Sequence, residues 1–524
     1  ALFVHVSLFI MDTSGKTRLI ASTLSSDSSS SELQTPEVEK TEIRLEEKIG
    51  GGCFGNVFKG TVRGKTVAVK KLHAQDMDAA TLEEFRKEVE IMTHLRHPNI
   101  VLFMGACTEP GNFAIVTELL PGGSLHDLLH NPKIAISLLQ KVKMLKDIAL
   151  GMNWLHCSKP AIIHRDLKPT NVLVDEHWNM KICDFGLSAI NRQESIVDQG
   201  VAPGTPLWMS PEVLRGKPLN EKADIYSFAI VCWEILTRKE PFENHDSYNN
   251  FVRAVCDDKE RPPIPEGTHP ALVRLMEACW HEDCDLRPNF SAILTILDEA
   301  TLQIGIPDPD ARVFWKKLSG GGMKERLPFA TFAKHLWHEL GLSAANPKTA
   351  SYKCMQSLLA QRHEHDETET VSIERLGLFY HWFGPLMKKT QDGTIVDVVQ
   401  MTCNETWFHG DISRQESEQL LAGKKGAFLI RLSMTDPETS PYTISKVSAE
   451  GVLNHQRIYV NNNGAGYFVI SKSGSKSTEI AGTNLADLVK KLKKIIGKPL
   501  EGNKYRSFFL AEPQNGGYQD ESDM

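Results

Sequence analysis

"HRDLKPTN" (164–171) and "DFG" (184–186) lie 18 residues apart from acid to acid. "VLV" (172–174) between them is a β-branched run suited to a strand, and "SPE" (210–212) closes the segment. Upstream stands "IRLEEKIGGGCFGNVFKGTVRGKTVAVKKL" (43–72), in which Gly50, Gly52 and Gly55 form G-x-G-x-x-G ahead of Val57. Alone this glycine pattern is weak, since a dinucleotide-binding turn or a plain hairpin fits equally well. Here strand-like residues flank it on both sides and no helix follows. That suits a glycine-rich hairpin whose backbone closes over phosphates. Lys70 in "VAVK" follows Val57 by 13 residues and could reach those phosphates. The helical stretch "TLEEFRKEVEIMTHL" (81–95) offers Glu88 as the ion partner of Lys70, although a lone Glu88 is more often a solvated helix charge.

Taken in order and spacing, these motifs resemble the eukaryotic protein kinases over about residues 43–300. The resemblance implies a two-lobed α+β fold, ATP and Mg²⁺ as cofactors, and a role for each residue. Asp166 would orient the acceptor hydroxyl and take its proton, and Lys168 would neutralise charge on the transferred group. Asn171 and Asp184 would ligate Mg²⁺ through oxygen, Lys70 would fix the phosphates, and Glu88 would fix Lys70. Ile49, Gly50, Gly51, Gly52, Cys53, Phe54, Gly55, Asn56 and Val57 would cover the nucleotide. Ala68 and Leu173 would sandwich the base, Thr117 would guard the pocket behind it, and the hinge from Glu118 to Leu120 would read its edge. Met92, Phe103, His164 and Phe185 fall where the family stacks its regulatory spine. Asp224 would brace the catalytic loop, and Arg287 would pair with Glu212.

Lys168 is the serine/threonine-kinase residue at its position, where dedicated tyrosine kinases carry Ala or Arg. Thr205 in "GTPLWMSPE" points the same way. "HPNIVLFMGAC", "IVTELLPGGSL" and "WMSPEVL" look like the tyrosine-kinase-like branch of the serine/threonine enzymes. The expectation is mainly serine/threonine activity with some tyrosine activity. Arg165 before Asp166 implies control by an activation-loop phosphate, for which Ser195 and Thr205 are the candidates, Ser195 first.

A chain of 524 residues predicts two to four domains. With 41% apolar residues, 24% charged residues and a net charge of −7, it lacks the basic field of a bulk nucleic-acid binder. Its 10 cysteines form no C-x-x-C pair, as expected of reduced thiols in the cytosol or nucleus. "ALFVHVSLFI" is too short to span a bilayer and lacks a basic flank, and Met11 after it could be the true start. Residues 1–42 as a whole are expected to be a disordered, Ser/Thr-rich leader to a kinase domain over 43–302.

Residues 303–400 read as a helical linker. "DARVFWKKLSGGGMKERLPFATFAKHLWHEL" and "YKCMQSLLAQRHEHDETETVSIERLGLFYHWF" each read helix, loop, helix, with a short apolar stretch before the second helix. That plan is like a degenerate EF-hand pair, with a generic helical linker as the plainer reading. No calcium is expected, because the first loop carries Gly, Gly and Lys where carboxylates are needed and Arg375 stands where a bidentate Glu would sit.

"GAFLIRLSMTD" (426–436) sets Arg431 in an apolar strand, where an unpaired guanidinium is costly. Its partner would be an internal carboxylate or an external anion. "WFHGDISRQESEQLL" (407–421) just before it completes a resemblance to the SH2 domain over about residues 405–505, carried by Trp407, Gly410, Arg414 and Arg431. The resemblance implies that Arg431 binds phosphotyrosine, with Ser433 and Thr435 in the following loop and Arg414, His455 and Arg457 around the ring. Residues 506–524 would be a disordered tail. Kinase first and SH2 last resembles the SH2-containing kinases of social amoebae, described as dual-specificity. The implied protein is cytoplasmic and acts on protein substrates, and tyrosine-phosphorylated partners recruit it to membrane-proximal sites. The alternatives are a phosphotyrosine-dependent scaffold with incidental kinase activity, or a dedicated tyrosine kinase.

Overall fold

The computed structural model describes residues 9–11, 17–19, 36–52, 55–73, 85, 89–90, 92–184, 206–218, 220–363, 366–387, 389, 393–461, 466–473 and 476–510. The chain divides into two compact units, Ala1–Thr301 and Leu302–Met524.

In the first unit, five antiparallel strands form a sheet in the order Ile43–Gly52, Gly55–Val62, Lys65–Leu72, Ala114–Glu118, Phe103–Cys107. Arg63 and Gly64 close the second hairpin in two residues, with Val62 opposite Lys65. Both turn residues have positive φ (48° and 77°), the geometry that matches the twist of tight hairpins. Residues 36–42 belong to this lobe rather than to a disordered leader. Val38 is buried and its N–H donates to Ala106 O at 2.9 Å. Phe9–Met11 also pairs antiparallel with Thr17–Leu19, where the sequence suggests no structure.

The rest of this unit is helical. Ser137 caps the helix Leu138–Cys157 by accepting from Gln140 N, as its Ser-x-x-Gln spacing predicts. The helix Lys222–Thr237 is buried on all sides from Ala223 to Ile235, which explains its nearly unbroken apolar sequence. Between the helices the strands Val172–Val174 and Met180–Ile182 form a small ladder that carries the loops on either side of it.

The second unit joins a helical segment to a sheet. The helices Pro309–Leu318 and Phe329–Glu339 flank the strand Arg326–Pro328. The helices Ala350–Leu359 and Ile373–Phe383 flank the strand Asp366–Ser372. The two strands pair antiparallel, with Leu327 opposite Val371. Arg375 lies buried at the start of its helix, where Nε donates to Leu358 O at 2.6 Å and a terminal nitrogen pairs with Asp411 at 2.7 Å. The sheet runs in the order Phe408–Gly410, Ala427–Leu432, Tyr442–Val447, Leu453–Val460, Tyr467–Ser473, Lys476–Gly482, with the helices Arg414–Leu421 and Leu485–Ile496 beside it. One apolar core runs from Trp315, Phe332 and Trp382 of the helical segment into Phe408, Ile430 and Tyr505. Order persists beyond the expected start of the tail: Arg506–Phe509 is helical, and Phe508 and Phe509 pack on that core.

Candidate functional sites

Strand alternation in the first unit places an open apolar surface beside polar groups. In Lys65–Leu72, Val67 and Val69 are buried, whereas Ala68 and Lys70 on the opposite face are only half-buried. Leu173 is likewise half-exposed between the buried Val172 and Val174. Register sets Lys70 opposite Val57 and Ile115, and Ala68 opposite Thr117. Thr117, Glu118 and Leu120 are all half-buried. In the glycine-rich hairpin Gly50 lies opposite Val57, Gly51 opposite Asn56 and Gly52 opposite Gly55, and Ile49 is exposed. A Cβ on Gly55 would stand 2.3 Å from Lys71 O, so the close strand crossing there requires glycine. Cys53, Phe54, Glu88, Phe185, Ser195 and Thr205 lie outside the described residues.

Lys70 Nζ is 2.7 Å from Asp184 Oδ1, which ties the strand to the "DFG" acid. Around Asp166, Lys168 Nζ lies 3.1 Å from Oδ2, and Asn171 Nδ2 donates to both Asp166 O (2.8 Å) and Oδ2 (3.0 Å). The site therefore holds two lysines, two carboxylates and an amide, with oxygen donors and cations in the balance that a metal-bound polyphosphate needs. Asp184 has φ +58° and Arg165 has φ +70°, both rare for side-chain-bearing residues. Asp224 braces the loop from below by accepting from His164 N and Arg165 N, each at 2.8 Å. Burial alone would raise its carboxyl pKa. The His156 hydrogen bond at 2.8 Å and the nearby His164 hold it below the ordinary value. Arg287, fully buried, forks onto Glu212 at 2.6 and 3.0 Å. Sequence reasoning missed His156, which reaches Asp224 only through the packing of two helices. It also missed Lys181, whose Nζ holds Glu118 Oε1 at 2.7 Å. Met92, Phe103 and His164 are buried.

In the second unit the strand Ala427–Leu432 sends Phe428, Ile430 and Leu432 into the main core, while Leu429 packs toward Leu421 in a smaller cluster. Arg431 shares the face of Leu429. Cross-strand register runs Arg431, Thr443, Arg457 in one row and Leu429, Ser445, His455 in the next, so His455 and Arg457 share that face. The flanking cations carry carboxylates: Glu418 Oε1 takes Arg414 Nε at 2.8 Å and His455 Nε2 at 3.1 Å, and Asp436 takes Arg457 at 3.4 Å. Arg431 differs. Its buried Nε has no hydrogen-bond partner, and among the described residues no carboxylate pairs with it. Burial, then the neighbouring Arg414, press its pKa below the usual guanidinium value, against a smaller pull from Glu418. Ser433 is buried just beyond it and Thr435 is exposed.

A phosphate-handling cleft joined in sequence to a sheet with a half-buried arginine whose Nε has no partner defines a class: protein kinases that carry an SH2 domain. Family comparison agrees, with the protein tyrosine and serine/threonine kinase family matching residues 43–297 and the SH2 domain family matching residues 407–481. The chain is 45% identical to the dual specificity protein kinase shkC of Dictyostelium discoideum, over 81% of this chain and 85% of that protein. It is 42% identical to shkA of the same organism, over 82% and 85%. The serine/threonine-protein kinase CTR1 of Arabidopsis thaliana is 43% identical over 51% of this chain and 33% of its own length. The chain belongs to the SH2-containing protein kinases of which shkC and shkA are members. No described helix is long and apolar enough to cross a membrane.

Proposed function

We propose that the protein transfers the γ-phosphoryl group of ATP mainly to serine and threonine hydroxyls, with some tyrosine activity, on partners that its SH2 domain finds through phosphotyrosine. The observation that carries this reading is the set of Lys70–Asp184 and Lys168–Asp166–Asn171 in one unit, together with the unpartnered Arg431 Nε in the other. Asn171 and Asp184 would hold Mg²⁺, which supplies charge neutralisation of the ATP phosphates. Asp166 aligns the acceptor hydroxyl and accepts its proton, and Lys168 neutralises charge on the transferred group. Because phosphoryl transfer is loose, alignment and charge supply most of the acceleration. The half-exposed Ala68 and Leu173 offer apolar faces for the adenine, between Thr117 and the hinge at Glu118–Leu120.

Arg431 would fork onto the phosphate, with Ser433 and Thr435 adjacent and Arg414, His455 and Arg457 around the ring. Docking there raises the local concentration of substrate at the kinase. Recruitment of a cytoplasmic protein to membrane-proximal sites would follow from where its tyrosine-phosphorylated partners sit. The linker is read as an EF-hand-like pair put to structural use, since Arg375 fills the bidentate-glutamate position and is spent on Asp411. Phosphoamino-acid analysis of protein incubated with ATP, Mg²⁺ and generic substrates tests the specificity. Phosphoserine and phosphothreonine should dominate, Lys70→Arg should abolish both, and phosphotyrosine alone would refute the reading.

A further inference from the structure

Two buried side chains of the helical segment take hold of the SH2 sheet on either side of its arginines. Trp382, fully buried in the last turn of Ile373–Phe383, donates from Nε1 to Ser433 O at 3.0 Å. Its own carbonyl accepts from the Tyr442 hydroxyl, and Tyr442 lies opposite Leu432 in the ladder next to Arg431. Arg375 stacks on the same indole, with its guanidinium carbon 4.8 Å from the ring, and pairs with Asp411 at 2.7 Å. Ser433 stands two residues after Arg431, and Asp411 three residues before Arg414. Phe383 meets Phe408 edge to face, and Asn503 reaches Glu405 O at 2.8 Å.

A passive spacer would need none of this. Buried backbone carbonyls almost always have partners, and the partner of Ser433 O comes from outside the segment that matches the SH2 family. A guanidinium at about 5% exposure is held only where its charge and donors are met, and Asp411 and Leu358 O meet them.

We propose that the helical segment and the SH2 sheet form one phosphotyrosine-reading unit, in which Trp382 and Arg375 are positioning residues. This rests on the reading of Arg431 as the phosphate ligand. Trp382 fixes the chain leaving Arg431, and Arg375 fixes the chain entering the helix of Arg414. A loop that had to order itself on each binding event would bind phosphate more weakly than one held in place.

The test uses the full chain, with retention on immobilised phosphotyrosine competed by phenyl phosphate. Wild type should bind and Arg431→Ala should not. Trp382→Phe keeps an aromatic ring in the core but removes the donor, and should weaken binding about tenfold, the scale of one lost hydrogen bond. Hydrogen exchange should quicken at residues 431–441 and stay unchanged in the helix Leu485–Ile496, a local signature that general loosening would not give. Tyr442→Phe deletes one hydroxyl and should give a smaller loss, of about threefold, which keeps the proposal testable should Trp382→Phe misfold. If wild type binds, Arg431→Ala does not, and both aromatic variants bind like wild type, positioning is refuted while phosphotyrosine reading stands. If wild type and Arg431→Ala are alike, the phosphotyrosine reading itself fails.

Discussion

Arg287 and Glu212 show how much one buried pair carries. Burial would raise the Glu212 carboxyl, and the Arg287 fork instead holds it below its ordinary value. Arg287→Ala leaves that largely buried acid without its forked partner, so the kinase unit should lose about 3–5 kcal/mol of stability, read by thermal or denaturant melting. Glu234 is the opposite case. Buried with only the Trp208 indole N–H at 3.1 Å, and near Glu240, its carboxyl is pushed up to about 7. The folded protein keeps that proton up to about pH 7, whereas the unfolded chain releases it near 4.5. The contribution of Glu234 to stability is therefore complete below pH 4.5 and is lost as the pH rises through 7. Glu234→Gln should be insensitive over that window. The stability gap between wild type and variant should shift by roughly 1–3 kcal/mol from pH 4.5 to 8.

At the scale of elements, the glycine-rich hairpin and the Arg431 strand were both legible because their sequence patterns carry their geometry. G-x-G-x-x-G between two alternating strands leaves few alternatives to a tight hairpin. One arginine on an apolar strand leaves the internal or external anion as the only question. The hairpin gives a direct prediction: a side chain on Gly55 must push Lys71 O away from its 2.3 Å approach. Gly55→Ala should therefore cut kinase activity about tenfold or more, through a raised KM for ATP, and leave phosphotyrosine retention untouched. Contacts between elements were not legible. The bonds from His156 to Asp224 and from Trp382 to Ser433 span 68 and 51 residues, and no local periodicity announces either. The leader and tail boundaries slipped for a similar reason. Val38 and Phe508 gain their burial from distant neighbours, while the composition around them resembles that of a loop.

On the proposed function, the molecule joins a domain that reads phosphotyrosine to one that phosphorylates mainly serine and threonine. The order of domains was visible because each carries its motifs in one unbroken stretch. The helical segment was visible as helices but not as part of the reading unit, because its tie to the SH2 sheet rests on Arg375 and Trp382, two residues that carry no motif. Docking of phosphotyrosine on the SH2 domain, as proposed, should direct which hydroxyls the kinase domain phosphorylates. This is read from kcat/KM for a peptide bearing a target serine and a phosphotyrosine, compared with the same peptide unphosphorylated on tyrosine. The phosphorylated peptide should be the better substrate by at least about tenfold, through a lower KM at similar kcat, and Arg431→Ala should erase the difference while keeping activity on the plain peptide. Equal kcat/KM for the two peptides in the wild-type protein would show that phosphotyrosine does not direct the kinase.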